Sequence, residues 1–320
     1  MKKIAFILGL MVAVVSCKKE SETERKIAEV PVEKVEIKRF DQDFFNAGPE
    51  GLQQLKAQYP DLFPPGNPDE VWIQKMQDPF MLKLKEEVDK KFPSVDNLEE
   101  EIAAMVQHVK FYFPDMPTPE VITLVSDDNE TKAIYTEQKV LIPLSLYLGK
   151  DNYLYEGLSK YQVQEFEPTQ ILPDLVSSFS YGRIAPPKDK SLLSLMIYYG
   201  KELYLKDLLI PDTPDHNKIG YTNEQLEWAK VNEVEIWRYF VDRKLLYDTD
   251  SKLPGRFINP APFSKFYLEL DNESPGKIGQ WLGWQIVRSY AEHNKDVPLQ
   301  QLLAMDAKEL FDNSKYKPRK

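Results

Sequence analysis

The sequence predicts an α+β protein that is predominantly helical and contains a small β-sheet. Apolar residues between Leu98 and Tyr112 recur every three or four positions, which is the spacing of one helix face. Two β-rich runs follow at 121–125 and 139–148, separated by a polar turn at 126–129. Helical patterns dominate the rest of the chain, and we find no internal repeat. We therefore expect a single globular domain over residues 39–320.

Several helix boundaries are marked by local signals. Asp96 or Asn97 is a suitable N-cap for the helix that contains Leu98, and this helix should end before Pro114. Ser191 precedes a run of apolar residues on one face, and Pro211 should close that helix. The sequence thus predicts two long helices over about 98–113 and 192–209.

Two more helix starts lie in the second half. Thr222 and Gln225 form a capping-box pattern, in which a hydroxyl and an amide satisfy backbone N–H groups. We expect one helix after it to carry Trp228, Trp237 and Phe240. A further helix should open at Ser274, with Pro275 at its first position. Within it, the spaced glycines predict close packing against a neighbour: Gly276, Gly279 and Gly283.

The N-terminus has the pattern of a bacterial lipoprotein. Lys2 and Lys3 precede an apolar run at 4–15, and the only cysteine, Cys17, follows that run directly. The run is too short for a permanent membrane-spanning helix. We expect a signal peptide at 1–16 and a lipid-modified Cys17, with fatty acyl chains such as palmitate as the membrane anchor.

Residues 17–38 mix Lys and Glu with few large apolar side chains, which predicts a flexible tether after the lipidated cysteine. Lys18 follows Cys17, so the aspartate that often retains lipoproteins at the inner membrane is missing. The sequence therefore favours the outer membrane, and leaves open whether the domain faces the periplasm or the exterior. With Cys17 used for lipid, no thiol remains for a disulfide or a metal.

Charge and motifs exclude several functions. The formal charge is −10, and loss of Lys2 and Lys3 with the signal peptide would make it −12, which disfavours nucleic acid binding. The three histidines, His108, His216 and His293, form no H-E-x-x-H pair for zinc. Nucleophile-elbow, phosphate-loop and EF-hand patterns are also missing. We predict no cofactor, no metal and no catalytic residue.

Long strings in the second half carry a resemblance to a known family. They are GKELYLKDLLIPDTPDHNKIGYTNEQLEWA at 200–229, EIWRYFVDRKLLYDTD at 235–250 and RFINPAPFSKFYLELDNESPGKIGQWLGWQIVRSY at 256–290. With FDQDFF at 40–45 and YPDLF at 59–63, the chain resembles the GldB family of gliding-motility lipoproteins of Bacteroidetes. The resemblance implies a cell-envelope lipoprotein needed for gliding, in organisms whose gliding is tied to type IX secretion. It implies no established biochemical activity.

The order of helices and strands between residues 98 and 209 is also similar to a zincin-type metallopeptidase scaffold. Such an enzyme would show H-E-x-x-H where this chain has ILPDLVSSFS at 171–180. That resemblance implies a pseudo-enzyme that retains the fold without the metal ligands.

Three functions follow as hypotheses. The first is a non-catalytic lipoprotein that binds components of the gliding or type IX secretion apparatus. The second is an envelope hydrolase, acting on cell wall or peptide, with an unrecognised carboxylate site. The third is a lipoprotein that binds glycans or peptides. A carboxyl group with a perturbed pKa in a concave pocket would favour the second.

Residues 256–290 combine charged and aromatic side chains, which are common anchors of protein interfaces. The alternative is that the aromatic residues are core and that the charges form internal ion pairs or helix caps. The candidate binding residues are Arg256, Asn259, Lys265, Asp271, Glu273, Trp281 and Arg288.

Overall fold

The computed structural model describes residues 22–31, 34–269 and 271–319, so the predicted signal peptide and Cys17 lie outside the described residues. The described chain is mostly helical with a small sheet, and the predicted α+β class is confirmed. The strands are β1 (Ile37–Lys38), β2 (Glu120–Leu124), β3 (Ile134–Tyr135) and β4 (Lys139–Pro143). The α-helices are α1 (Glu22–Ala28), α2 (Phe40–Gln58), α3 (Asp69–Gln77), α4 (Pro79–Lys91), α5 (Asp96–Tyr112), α6 (Lys160–Val163), α7 (Ile171–Ser180), α8 (Leu192–Leu209), α9 (Asp215–Ile219), α10 (Asn223–Val231), α11 (Glu233–Asp242), α12 (Leu253–Phe257), α13 (Ile278–His293), α14 (Leu299–Ala304) and α15 (Ala307–Asn313).

The strands form one mixed sheet in the order β1-β2-β4-β3. β1 and β4 are both parallel to β2, with Val121 opposite Ile37 on one side and Val140 on the other. β3 is antiparallel to β4. The two β-rich runs of the sequence therefore pair with each other, although the second becomes a 3₁₀ turn after Pro143.

The sheet separates two hydrophobic clusters. Val121 packs in the main core with the long helices, whereas its neighbour Ile122 packs against Phe44 and Leu52 of α2 and Met76 of α3. This division arises because successive side chains of a strand point to opposite faces. The FDQDFF segment thus contributes to a small aromatic cluster behind the sheet.

Helices α8 and α13 pack with their backbones in contact. A Cβ atom built on Gly283 would lie 1.9 Å from the carbonyl oxygen of Met196, and one on Gly200 would lie 2.4 Å from the carbonyl carbon of Gly283. Gly279 is similarly close to the carbonyl oxygen of Phe257, at 2.9 Å. The interpretation as close-packing helix residues is confirmed for Gly279 and Gly283. Gly276 instead lies in the loop before α13, where a Cβ atom would lie 2.3 Å from the Ala261 carbonyl oxygen.

Two predicted caps are confirmed. Ser191 accepts a hydrogen bond from the backbone N–H of Ser194, and α8 spans the predicted range. Thr222 and Gln225 form the reciprocal capping box at the start of α10. These caps could be predicted because both partners lie within one helical turn.

Three predicted boundaries are wrong. α5 begins at Asp96, so Val95 is its N-cap and neither predicted residue fills that role. The helix expected to carry both tryptophans is two helices, because the Asn232 side chain donates to the Trp228 carbonyl oxygen at 2.8 Å and the backbone leaves helical geometry there.

The predicted N-cap at Ser274 is the third error. Its hydroxyl group contacts the carbonyl oxygens of Asp271 and Ser264 at 2.7 and 3.0 Å. α13 begins only at Ile278, after Lys277 in the left-handed region with φ 57°. The serine therefore ties two loop segments together.

The predicted flexible tether over residues 17–38 differs from the structure. Within its described part, residues 22–28 form α1 and residues 37–38 form β1. Ile27 and Val35 are buried, and the Gln107 side chain of α5 donates to the Val30 carbonyl oxygen at 3.0 Å. These few apolar residues are sufficient to dock the segment on the domain.

Candidate functional site

A surface groove lies between α10, α11 and the loop at 264–274, which connects α12 to α13. We call it the α10–α11 groove. Its volume is about 390 Å³, within the range typical of ligand pockets. Trp228, Ile236 and Phe266 supply apolar surface, and Glu235, Arg238, Asp242 and Arg243 supply charges of both signs.

The loop beside the groove is held by Asp271. Its buried carboxylate accepts hydrogen bonds from the backbone N–H groups of Phe266, Tyr267 and Leu268 at 3.1, 2.8 and 3.2 Å. Tyr267 has a φ of 61°, a conformation that is costly for a bulky L-residue. The hydrogen bonds of Asp271 fix this conformation.

Arg256 braces the same loop from α12. Its guanidinium group lies 4.6 Å from the ring centre of Phe257 and 4.5 Å from that of Tyr267. It also donates to the Lys265 carbonyl oxygen at 2.8 Å and to the Tyr239 hydroxyl at 3.1 Å. Even so, Tyr267 remains 71% exposed and the adjacent Leu268 56% exposed. The fold therefore presents an aromatic and an aliphatic side chain to solvent on a constrained loop.

The candidate binding residues predicted from the sequence fall into different environments in the structure. Arg256 and Asp271 build the loop, and Lys265 is exposed on it. Asn259 and Glu273 are exposed.

Of the two remaining suggested residues, one is buried and one is half-buried. Trp281 is only 1% exposed and belongs to the core. Arg288 packs 3.7 Å from the Trp284 ring centre and pairs with Asp207 and Asp215 at 2.6 and 2.9 Å. Burial alone would lower the pKa of Arg288. Its hydrogen bonds to both aspartates outweigh burial, so the pKa lies above its ordinary value. Trp281 therefore matches the alternative of a core aromatic residue, and Arg288 forms partly exposed ion pairs within the domain.

Sequence reasoning missed the α10–α11 side of the groove. The sequence pattern predicts one continuous helix for Trp228 and Trp237, and a continuous helix would not form the concave side of this groove. The signal that was available is Asn232, since asparagine competes with the helical backbone through its own side chain.

A second cluster of charges is partly buried and joins segments that are distant in the sequence. The Glu165 carboxylate accepts from Lys277 at 2.5 Å and from Lys132 at 2.6 Å, and Lys132 also pairs with Asp174 at 3.0 Å. Tyr147 donates to Asp174 at 3.0 Å. We call this set the central ion network.

Burial would raise the pKa of Glu165, but the charges of Lys277 and Lys132 lower it to about 2. Burial raises the pKa of Asp174, and the ammonium group of Lys132 only partly opposes this. Each charged member of the network is thus hydrogen-bonded to another member.

Helix α7, which would be the metal-binding helix of a zincin-type scaffold, contributes Asp174 to the central ion network. In α7, where metal ligands would lie, Asp174 contacts Lys132, and Ser177 donates to Glu202 at 2.6 Å. Within the described ranges, no group of three His, Cys, Asp or Glu side chains is placed to hold a metal ion. The absence of stoichiometric zinc in the protein remains a prediction.

A third feature is a concave pocket beside α5, which we call the α5 pocket. Its volume is about 260 Å³, and Glu101 and His108 of α5 both line it. Burial raises the pKa of Glu101 and lowers that of His108. The His108 Nδ1 donates to the Leu208 carbonyl oxygen at 2.6 Å, which directs the other ring nitrogen away from that bond.

The fold and these sites define a mostly helical α+β protein with a solvent-facing groove and internally satisfied core charges. The family model described as "Gliding motility protein GldB" matches residues 20–318. The chain belongs to this family, and membership implies a role in gliding motility and an envelope-associated lipoprotein.

No curated protein and no solved structure matches the chain, so the similarity to zincins remains a prediction. Among the helices of the described residues, none has both the length and the apolar character to cross a bilayer.

Proposed function

We propose that this chain is a non-catalytic lipoprotein of the cell envelope that supports gliding by binding a protein of the gliding or type IX secretion apparatus. The α10–α11 groove and the loop beside it form the binding surface. A lipid on Cys17 anchors the domain, and the outer membrane is the proposed location.

The observation that carries this proposal is the conformation of Tyr267. A bulky residue at positive φ costs roughly 1–3 kcal/mol, and such strain is concentrated at functional sites. Two structural devices, the Asp271 hydrogen bonds and the Arg256 guanidinium, hold the ring in an exposed position. A rigid exposed aromatic group beside an arginine is the usual composition of an interface hot spot.

The groove also indicates the chemistry of the partner. Its apolar surface suits an apolar or aromatic side chain of a protein, and its edge carries both acids and arginines. The Glu235–Arg238 ion pair is exposed, with 2.6 Å between Nη1 and Oε2. A partner with a mixed-charge edge around an apolar side chain therefore fits better than a polyanion.

The hydrolase alternative has one supporting observation, which is the raised pKa of Glu101 in the α5 pocket. A glycosidase would need a second carboxyl group that acts on the same bond. Asp212 lies at the exposed edge of that pocket and is the only other acid among its lining residues, as far as the structure describes them.

We expect Tyr267→Asn to impair gliding without unfolding the protein. Asparagine tolerates positive φ, so the loop conformation is retained while the ring is lost. Gliding speed should fall together with crosslinking of the domain to its partner, at unchanged protein level, anchoring and melting temperature.

Tyr181→Asn is the matched control, because Tyr181 is 82% exposed and lies outside the groove. This variant should glide normally. Arg256→Ala should act like Tyr267→Asn, since it removes the brace of the same ring. If Tyr267→Asn and Tyr181→Asn glide equally well, the groove is not the binding surface.

The anchor gives a separate prediction. Cys17→Ala should abolish lipid attachment and move the mature domain from the membrane to the soluble fraction, because the chain has no other cysteine to acylate. Membrane fractionation and intact mass would measure this. An unchanged mass with detergent-dependent membrane association in the variant would exclude the lipoprotein assignment.

A further inference from the structure

The α5 pocket lies on a different part of the molecule from the groove, and its lining residues are shared with neither the groove nor the central ion network. Its volume of about 260 Å³ is slightly below the range of drug-sized sites, so it suits a small ligand. Met105, Leu172, Leu209 and Ile210 line it with apolar side chains. The apolar lining can accommodate a short alkyl chain.

The charges around this pocket are of one sign. Glu101 and Asp212 line it, and among its described lining residues there is no Lys or Arg. Asp212 and Glu24 of α1 are the acids whose charges act on His108. The electrostatic environment therefore favours a cation.

His108 contributes an acceptor. Burial lowers its pKa, so the neutral imidazole predominates near pH 7. Because Nδ1 carries the proton donated to the Leu208 carbonyl oxygen, Nε2 has a free lone pair. A ligand that donates hydrogen bonds can use both this nitrogen and the carboxylate of Glu101.

The Glu101 side chain can be reached from solvent, yet surrounding protein atoms remove enough water to raise its pKa. Such a partly desolvated carboxylate gains more from an ammonium partner than a fully hydrated one, because screening by water is weaker.

We propose that the α5 pocket binds an alkylammonium group, with the ammonium between Glu101, Asp212 and His108 and the alkyl chain on the apolar lining. A free primary amine and a lysine side chain share this chemistry. The site goes beyond the proposed binding role of the groove and does not depend on it.

The test uses the full-length lipidated protein in detergent, labelled with ¹³C at histidine. The chain has only three histidines, so His108→Gln assigns the resonance of His108. Butylamine, which is protonated at pH 7, is titrated against this signal, with butanol as the uncharged analogue and Nα-acetyl-lysine amide as the lysine analogue. We expect saturable shifts with both amines and at least tenfold weaker binding of butanol.

Glu101→Gln should weaken amine binding at least tenfold, equivalent to about 1.4 kcal/mol. Glu100→Gln is the matched control, since it removes the same charge from an exposed neighbouring position outside the pocket. Tighter binding of the lysine analogue than of butylamine would assign the site to a protein side chain, and the reverse order would assign it to free amines. The proposal is overturned if neither amine saturates, if butanol binds as tightly as butylamine, or if the two Glu variants bind alike.

Discussion

Gly283→Ala is expected to destabilise the protein by about 3 kcal/mol or more, at the upper end of overpacking substitutions. The new Cβ atom would lie 1.9 Å from the Met196 carbonyl oxygen, which belongs to the backbone of α8 and cannot rotate away. Alanine favours helix over glycine by about 1 kcal/mol, and this gain is much smaller than the cost of separating two packed helices. Chemical denaturation of the purified protein would measure the loss.

Gly255→Ala is the control for this substitution. Gly255 lies in helix α12, and apart from its chain neighbours and its own helix backbone no atom lies within 4 Å of the position that a Cβ atom would take there. This variant should be neutral or slightly more stable. Equal unfolding free energies for Gly283→Ala and the wild type would mean that α8 and α13 are not in backbone contact.

Glu165→Gln is expected to cost about 3 kcal/mol, the lower end of the range for breaking a buried ion pair from one side, because the pairs are only partly buried. Lys132 and Lys277 both depend on this carboxylate, and the substitution would leave Lys277 with the Ile219 carbonyl oxygen as its hydrogen-bond partner. Removing the charge while keeping the shape separates electrostatics from packing. Glu156→Gln, at an exposed position, is the control and should leave stability within about 0.5 kcal/mol.

The pH dependence of the unfolding free energy should reflect the ionisation of Glu165. The pKa of Glu165 is about 2 in the folded chain, below the ordinary glutamate value of 4.5, so its ionised form stabilises the fold above pH 4.5. This contribution, about 3 kcal/mol from the shift, is lost as the pH falls from 4.5 towards 2. The wild type should therefore lose more stability than Glu165→Gln over this interval. Parallel curves for the two proteins would contradict the assignment.

Local patterns predicted the helices well and the polar interior poorly. Ser191 and Thr222 mark helix starts because their partners lie three residues away. Ser274 is followed by Pro275, another helix-start signal, but the contacts of its hydroxyl with Asp271 and Ser264 determine its role. The local sequence around Ser274 does not show that Ser264 will bind its hydroxyl group.

The candidate sites show the same limit. The aromatic and charged residues at 256–290 were visible as a cluster, yet the structure buries Trp281 and exposes Tyr267. The central ion network could not be predicted, because Lys132, Glu165 and Lys277 are far apart in the chain and come together only through the packing of the loop around Lys132, the segment after α6, and α13. In a chain with many charged residues, the sequence alone does not show which acid pairs with which lysine.

The docking of residues 22–38 determines how the protein would respond to mechanical load. A force between the proposed anchor at Cys17 and a partner in the groove would enter the domain through α1 and β1. The buried side chains of Ile27 and Val35, hydrogen bonds from Gln107 to Val30 and from Ile37 to Glu99, and the two-residue pairing with β2 hold this segment. This segment would detach before the core, in which α8 and α13 are packed backbone to backbone. Its seventeen residues, fully extended at about 3.4 Å each, would span roughly 58 Å from end to end. With both attachments in place, we expect the N-terminal segment to extend before the packed α8–α13 core unfolds.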